Sequence, residues 1–329
     1  MIDQAIFIVG ATTLAALGLV ALTRLLGALG RLPRQDVSGR WVMVTGCDSG
    51  FGAGVVSALS GRGAHVIAFC LTEDGGARAR DEGAREVHVV DLTDESKVDE
   101  AIERVRRQCG GQLWGLVHNA GVVQPGFVEY LTDEVYRRVM EVNFFAPVRM
   151  TRALLPEVQA ARGRVVLVSS VDGIVSLPGN APYDASKFAL EGYADALRVE
   201  QGFFGVGVSV VNPATMRTPL AMTFFEGHRT SWDQMNEQDP EGSWRERYTQ
   251  EWLDEYVTSN TQGLERIAQD PRHAIDDITH ALTAKRPRSR YLSGHLARTL
   301  FYGLWVAPES WAHAFKVGMV QPRPNRPDD

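Results

Sequence analysis

The chain has 329 residues, 44% of them hydrophobic and 22% charged, which is the composition of a globular protein with a sizeable core. Its formal net charge of -6 argues against a nucleic-acid-binding protein, because such proteins need a basic face. The three cysteines, Cys47, Cys70 and Cys109, form no C-x-x-C pair. The sequence therefore predicts neither a disulfide framework nor a metal site, and it favours a reducing compartment.

The N-terminal stretch is uncharged from residue 5 to residue 22. As a helix it would be about 27 Å long, close to the thickness of a membrane's hydrocarbon core. It lacks the basic start of a secretory signal, and Arg24, Arg31 and Arg34 follow it. We therefore predict a transmembrane anchor helix over 1–30 and a linker over 31–39, with the rest of the chain on the cytoplasmic side. A buried amphipathic helix or a cleaved leader is the alternative.

After Arg40, short apolar segments alternate with helical ones, and strands are predicted over 41–45, 65–70, 87–90, 114–118, 164–169 and 206–211. This alternation predicts a single α/β domain over 40–295, with a doubly wound parallel sheet of the Rossmann type. The segment 222–270 is polar and helical, and we expect an insertion over the open edge of the sheet. The tail, 296–329, carries aromatic residues that indicate either a second membrane contact or helices packed on the core.

The first strand runs into a glycine-rich turn, VTGCDSGFG, which places Gly46, Gly50 and Gly52 just before a helix. A strand that ends in such a turn points backbone N–H groups at one spot, which suits a pyrophosphate. The spacing is T-G-x-x-x-G-x-G and differs from the commoner G-x-G-x-x-G fingerprint. The alternative is that the glycines serve only the turn and its packing.

Candidate ligand-binding residues directly follow the third and fourth strands. Ligand crevices of parallel sheets lie at these carboxyl ends of the strands. Asp91 and Leu92 follow the third strand; Asp91 is placed to reach an adenine amino group or, alternatively, to cap a helix, as Thr93 would. Asn119, Ala120 and Gly121 follow the fourth strand.

Ser170 ends the fifth strand, Tyr183 follows thirteen residues later, and Lys187 shares one helix face with Tyr183. A lysine ammonium beside a tyrosine favours the phenolate, so we expect a lowered pKa for Tyr183 and a role in proton transfer. The alternative is a solvated pair on the surface.

Together these motifs resemble the short-chain dehydrogenase/reductase family over residues 40 to about 320. The resemblance rests on TGCDSGFG, DLTD, LWGLVHNAG, MEVNFFAPVRMTRALLP, RGRVVLVSS, YDASK and NPATMRT. It implies an NAD(P)-dependent alcohol dehydrogenase in which Tyr183 is the general acid/base and Ser170 orients the substrate. It also implies that Lys187 holds the nicotinamide ribose and that Asn143 anchors a proton-relaying water. The implied cofactor contacts are Gly46, Ser49, Gly50, Phe51, Gly52, Cys70, Asp91, Leu92, Asn119, Ala120, Gly121, Tyr183, Lys187, Pro213 and Thr218.

Within the family, the chain is similar to the largely membrane-associated branch of retinol, hydroxysteroid and 3-hydroxybutyrate dehydrogenases. Residues 128–156 and the spacing from Ser170 to Tyr183 are nearer the 3-hydroxybutyrate enzyme, whereas the anchor is nearer the retinol and steroid enzymes. We give the anchor more weight, because a membrane position suits a lipophilic alcohol. The alternatives are a 3-hydroxybutyrate dehydrogenase, with Arg217 or Arg229 as the carboxylate's partner, and a membrane-tethered dinucleotide sensor without enzymatic activity.

The sequence also bears on the choice between NAD and NADP, and it departs from the family pattern at two positions. Ser49, Cys70 and Leu71 stand where an NADP enzyme would carry a basic residue, so we predict NAD. His118 replaces the usual Asn before Asn-Ala-Gly, and Ala214 replaces a usual Gly. Because many relatives pair through helices around 95–110 and 130–160 or around 182–203, the resemblance also implies a homo-oligomer.

Overall fold

The computed structural model describes residues 34–325, so the predicted anchor and the start of the predicted linker lie outside the described residues. The strands are β1 (Trp41–Thr45), β2 (His65–Cys70), β3 (Glu86–Val89), β4 (Leu113–His118), β5 (Arg164–Val168), β6 (Gly207–Pro213) and β7 (Arg290–Ser293). They form one parallel sheet in the order β3-β2-β1-β4-β5-β6-β7. The predicted doubly wound sheet is therefore confirmed, and the ends of its six predicted strands agree within two residues.

The helices are α1 (Gly50–Ser60), α2 (Glu73–Asp81), α3 (Glu95–Cys109), α4 (Asp133–Met140), α5 (Ala146–Ala160), α6 (Ala181–Gly202), α7 (Pro219–Met222), α8 (Phe224–Gln238), α9 (Trp244–Arg247), α10 (Gln250–Ile267), α11 (Arg272–Thr283), α12 (Tyr302–Val306) and α13 (Glu309–Met319). Among the described residues, no helix is both long and apolar enough to cross a membrane.

The sheet is buried on both faces, because successive side chains of each strand enter different cores. Met43 of β1 packs with residues of α3, α5 and α6 on one face. Its neighbours Val42 and Val44 pack with residues of α1 and α11 on the other. Most hydrophobic stabilisation of the domain comes from these two layers.

One strand was not predicted from the sequence. β7 has only four residues, Arg290–Ser293, and its charged and aromatic side chains are only alternately buried. It pairs with the end of β6, where Asn212 lies beside Leu292. Residues 34–39 of the expected linker lie against the domain: Val37 is buried, and the Gln35 N–H donates to the Thr283 carbonyl.

The segment that contains the expected insertion forms α7 to α10 and has a core of its own. This aromatic cluster joins the insertion to residues 127–130, and its members are Phe127, Tyr130, Phe225, Trp232, Trp244, Tyr248, Trp252 and Tyr256. His228 is fully buried within it, and its Nδ1 lies 2.8 Å from the Tyr130 hydroxyl. The insertion is thereby fixed beside the carboxyl ends of the strands.

Candidate active site

The glycine turn after β1 is built from close backbone approaches. Gly46 has a φ of 70° and Gly50 a φ of 58°, both in the region that favours glycine. A Cβ at Gly46 would lie 2.7 Å from the Ala120 Cα, and one at Gly52 would overlap the Gly46 carbonyl oxygen. The turn therefore needs glycine for its own packing as well as for any phosphate that approaches it.

Thr45 and Asn119 join the ends of β1 and β4. The Thr45 hydroxyl accepts hydrogen bonds from the N–H groups of Asn119 and Ala120, at 3.1 and 3.0 Å. The Asn119 amide donates to the carbonyls of Thr45 and Gly46, both at 3.0 Å. The sequence motif T-G-x-x-x-G-x-G includes Thr45, but we predicted no role for it in the site.

A cavity of about 1010 Å³ extends along this edge of the sheet. It is large enough for a dinucleotide, since small-molecule sites typically measure roughly 300–1,000 Å³. The predicted cofactor residues that line it are Gly46, Ser49, Gly50, Phe51, Cys70, Asp91, Leu92, Asn119, Ala120, Gly121 and Thr218. Four predicted cofactor residues do not line it: Gly52 packs under the turn, Pro213 ends β6, and Tyr183 and Lys187 lie on α6. The residues present fit a nicotinamide dinucleotide.

Asp91 faces this cavity and is not the helix cap. Its Oδ1 accepts hydrogen bonds from the Thr93 N–H and hydroxyl, both at 2.9 Å. The N-cap of α3 is Asp94, whose side chain accepts from the Lys97 N–H. Neither capping alternative, Asp91 or Thr93, is therefore the N-cap.

Asn143 and Lys187 meet beside Gly121 at the margin of the cavity. A Cβ at Gly121 would lie 3.3 Å from Asn143 Oδ1 and 3.6 Å from Lys187 Nζ. Asn143 is held by Val122, whose N–H donates to Oδ1 at 2.8 Å, and by the Ser186 hydroxyl, 3.0 Å from Nδ2. Lys187 Nζ donates to the Val168 carbonyl at 2.9 Å. Burial lowers the pKa of Lys187 to about 8, against the opposing charges of Asp172 and Glu191.

Tyr183 lies beside Ser170 and Lys187, and Lys187 Nζ is 5.3 Å from the centre of the tyrosine ring. The expected lowering of its pKa was wrong. Loss of solvent around the hydroxyl raises the pKa of Tyr183 well above its ordinary value, and the charge of Asp172 raises it further. A hydrogen bond with Ser170 acts in the opposite direction but is the weaker effect. Spacing correctly placed the lysine near the ring, but it did not reveal the burial.

Asp172 is a residue that sequence reasoning missed. It lies in the turn after β5, and its Oδ2 is 3.2 Å from the Ser170 hydroxyl. Burial raises the pKa of Asp172 to about 6. The available signal was that Asp172 is the single charged residue in the stretch VSSVDGIVSL.

The adenosine end of the cavity carries two further charged residues that the sequence reasoning missed. The Asp48 carboxylate accepts hydrogen bonds from the N–H groups of Leu71 and Thr72, at 2.9 and 3.0 Å. Arg78 of α2 donates to the Asp48 carbonyl at 3.2 Å. Both side chains line the cavity. We expected a basic residue only at the positions of Ser49, Cys70 and Leu71, so Arg78 was not predicted.

The two departures are accommodated inside the fold. His118 Nε2 lies 2.8 Å from the Thr151 hydroxyl, and complete burial lowers the pKa of His118 to about 3, so the ring is neutral. Ala214 is buried among Val171 and Phe301. Arg217 donates to backbone carbonyls, and Arg229 pairs with Glu226 and Asp254; neither lines the cavity.

Comparison with known proteins gives one family. A model described as short chain dehydrogenase matches residues 40–229. The chain is 37% identical to bovine (Bos taurus) 17-beta-hydroxysteroid dehydrogenase type 6 over 286 residues, covering 85% of this chain and 89% of that protein. It is 35% identical to mouse (Mus musculus) retinol dehydrogenase 7 over 283 residues, covering 84% and 88%.

The solved structures agree. A short-chain dehydrogenase from Streptomyces avermitilis matches with a TM-score of 0.66 and 26% identity, over 86% of this chain and 98% of that chain. A short chain dehydrogenase from Burkholderia cenocepacia in complex with NADP matches with a TM-score of 0.63 and 26% identity, over 86% and 99%. The chain therefore belongs to the short-chain dehydrogenase/reductase family and is an NAD(P)-dependent alcohol oxidoreductase.

Proposed function

We propose that the protein transfers a hydride between NAD and a secondary or allylic alcohol of a lipophilic substrate, of the steroid or retinoid type. The observation that carries the proposal is the group formed by Ser170, Tyr183 and Lys187, with Lys187 Nζ close to Gly121 in the lining of the dinucleotide-sized cavity. The substrate class is supported by the names of relatives about a third identical, a hydroxysteroid dehydrogenase and a retinol dehydrogenase. Arg217 and Arg229 are engaged elsewhere, which argues against the 3-hydroxy-acid alternative.

The side chains divide the proton chemistry between them. When bound, the nicotinamide ring supplies the hydride donor or acceptor. Tyr183 holds its proton at neutral pH, as its raised pKa further ensures, and it gives that proton to a carbonyl oxygen during reduction. Oxidation requires the phenolate form of Tyr183, which takes the hydroxyl proton and which the positive charge of Lys187 favours. Ser170 binds the same substrate oxygen, and Asn143 holds the backbone beside Lys187.

The direct test is NADH fluorescence with a hydroxysteroid, retinol and 3-hydroxybutyrate in parallel, each with NAD and NADP. We expect turnover with a lipophilic alcohol. Tyr183→Phe should lower kcat about 10²–10⁴-fold while NADH still binds, because it removes only the transferable proton. Turnover of 3-hydroxybutyrate alone, or full activity of Tyr183→Phe, would overturn the proposal.

The preference for NAD rests on the charges at the adenosine end. The Asp48 carboxylate lines the cavity there and repels a 2′-phosphate, whereas Arg78 attracts one. We propose that Asp48 prevails because three donors, including the Thr72 hydroxyl at 2.8 Å, fix it in place. Arg78→Ala should leave kcat/KM for NAD within about 2-fold and weaken NADP use about 10-fold. A wild-type preference for NADP would refute this reasoning.

Membrane association is proposed through the N-terminal anchor, 1–30, and through the tail. The surface of α12 and α13 exposes Trp305, Trp311 and Phe315, with Trp311 73% exposed. Tryptophan and tyrosine favour membrane interfaces, and large exposed apolar patches mark contact sites. Since the native cysteines are buried, a fluorophore can be attached at Trp311→Cys, with Val199→Cys on α6 as the control. Lipid-borne quenchers should quench the first label only; equal quenching would contradict a tail contact.

We further propose a homo-oligomer. Phe145, Phe188 and Phe203 are exposed around α5 and α6, with Phe203 85% exposed. Pairing these faces in a second copy would bury them. Analytical ultracentrifugation should show a dimer or larger species, and Phe188→Asp should shift it towards the monomer; a wild-type monomer would refute the proposal.

A further inference from the structure

The Ser170 hydroxyl has an acidic neighbour. Ser170 Oγ donates towards Asp172 Oδ2 at 3.2 Å and accepts from the Asp172 N–H at 3.1 Å. The other carboxylate oxygen, Asp172 Oδ1, is shielded from solvent and has no hydrogen-bond partner among the described residues. The carboxylate therefore has unused acceptor capacity directly beside the serine that meets the substrate oxygen.

The charged and titratable groups that face Asp172 come from α6. They are Tyr183, Asp184 and Lys187, and Glu191 of the same helix lies beside Gly173 and acts on Lys187. From β6, the neutral Asn212 amide donates to the Ser170 carbonyl at 2.8 Å. Lys187 is the cation that offsets the charge of Asp172. Asp172 titrates near pH 6, whereas Lys187 and Asp184 titrate near 8 and 9.

A serine hydroxyl carries one proton and can direct it to one acceptor at a time. If Asp172 is ionised, it takes that proton as a hydrogen bond, and Ser170 offers the substrate only a lone pair. A lone pair suits the O–H of an alcohol. If Asp172 is protonated, it no longer holds the serine proton, which is then free to be donated to a carbonyl oxygen.

We propose that Asp172 is a positioning residue that sets the direction of the Ser170 hydrogen bond, so that its carboxylate form favours alcohol binding and its protonated form favours carbonyl binding. The inference rests on the proposed function, because it assumes that Ser170 contacts the substrate oxygen. Through Ser170, the protonation state of Asp172 would decide whether the site binds the alcohol or the carbonyl form of the substrate better. Neither Tyr183 nor Lys187 provides this selection.

The first measurement needs no substrate. Infrared difference spectra across pH 5–7 should show a buried carboxyl group that titrates near pH 6, and Asp172→Asn should remove this band. Ser170→Ala should raise the titration midpoint, because the hydroxyl stabilises the carboxylate. Asp184→Asn is the matched control, since Asp184 is already protonated in this range. Loss of the Asp172 band with an unchanged midpoint in Ser170→Ala would overturn the link between the two residues.

The second measurement is the pH dependence of KM for an alcohol and for its carbonyl product. In the wild type, KM for the alcohol should rise about 10-fold from pH 7.5 to pH 5, because a carboxyl one unit below its pKa is about one-tenth ionised. KM for the carbonyl should fall over the same range. Asp172→Asn should make both constants nearly independent of pH, and Asp172→Leu should weaken alcohol binding at every pH.

The outcomes separate the two proposals. If the wild type turns over an alcohol but its KM ratio is as pH-dependent in Asp172→Asn as in the wild type, the positioning role is wrong and the proposed function stands. If no lipophilic alcohol is turned over, the proposed function fails, and the infrared titration still decides whether Asp172 holds the Ser170 proton.

Discussion

Replacing Asp184 with asparagine should make the protein more stable at neutral pH. Asp184 is 2% exposed, and its Oδ2 accepts a hydrogen bond from the Leu177 N–H at 2.7 Å. Burial, and then the charge of Asp172, raises the pKa of Asp184 to about 9. In the unfolded chain an aspartate titrates near 3.9. Between these values the folded protein holds a proton that the unfolded chain has released, so stability falls as the pH rises.

The magnitude follows from that difference. Each pH unit within the window changes the free energy of unfolding by about 1.4 kcal/mol. Raising the pH from 5 to 7 should therefore cost the wild type about 3 kcal/mol through Asp184 alone. Asparagine resembles the protonated acid in shape and does not titrate, so Asp184→Asn should lose this part of the pH dependence.

The assay is urea unfolding followed by tryptophan fluorescence, in one detergent at pH 5 and pH 7. The stability gain of Asp184→Asn over the wild type should be larger at pH 7 by about 3 kcal/mol. Asp99→Asn on the exposed face of α3 is the control and should show no such difference. An equal gain at both pH values, or a loss at pH 7, would show that Asp184 is ionised in the folded protein and refute the reasoning.

Two further changes test the turn and the strand ends. Gly52→Ala should lower NAD affinity at least 10-fold, because the new Cβ overlaps the Gly46 carbonyl and lies 2.7 Å from Asn119 Nδ2; Gly192→Ala, with open space around it, should leave the affinity measured by NADH fluorescence unchanged. Thr151→Val should lower the free energy of unfolding by about 1–3 kcal/mol, because it removes the partner of the buried His118. An exposed Thr258→Val should be neutral in the same urea titration, and a neutral Thr151→Val would contradict the importance of that hydrogen bond.

The sheet was predictable because buried parallel strands are short apolar runs, and α/β alternation leaves few alternative folds. β7 was missed because Arg290–Ser293 is short and only alternately buried, so it lacks the apolar signal of the other strands. The aromatic core of the insertion was not predicted from the sequence either. Phe127 packs against Trp252 and Tyr256, more than a hundred residues away, and periodicity within one helix does not reveal such contacts.

The candidate site also has a part that the sequence predicted and a part that it did not. Residue types and order gave Ser170, Tyr183 and Lys187, because a motif specifies spacing along one helix or after one strand. The direction of the Tyr183 pKa shift was wrong, because it depends on how much solvent reaches the hydroxyl and on a charge from Asp172. Both depend on how the turn after β5 packs against α6, which no local pattern encodes.

Two buried acids beside a proton-transfer site lower the free energy of unfolding at neutral pH. Their variants show which of the two acids affects the reaction. Asp172 lies two residues after Ser170, and Asp184 directly follows Tyr183. Both have raised pKa values, so each lowers stability as the pH rises through its window. If both asparagine variants stabilise the protein but only Asp172→Asn alters the pH dependence of KM, then Asp172 is retained for its effect on Ser170. Asp184 would then be a structural acid, kept neutral by its surroundings and bonded to the Leu177 N–H.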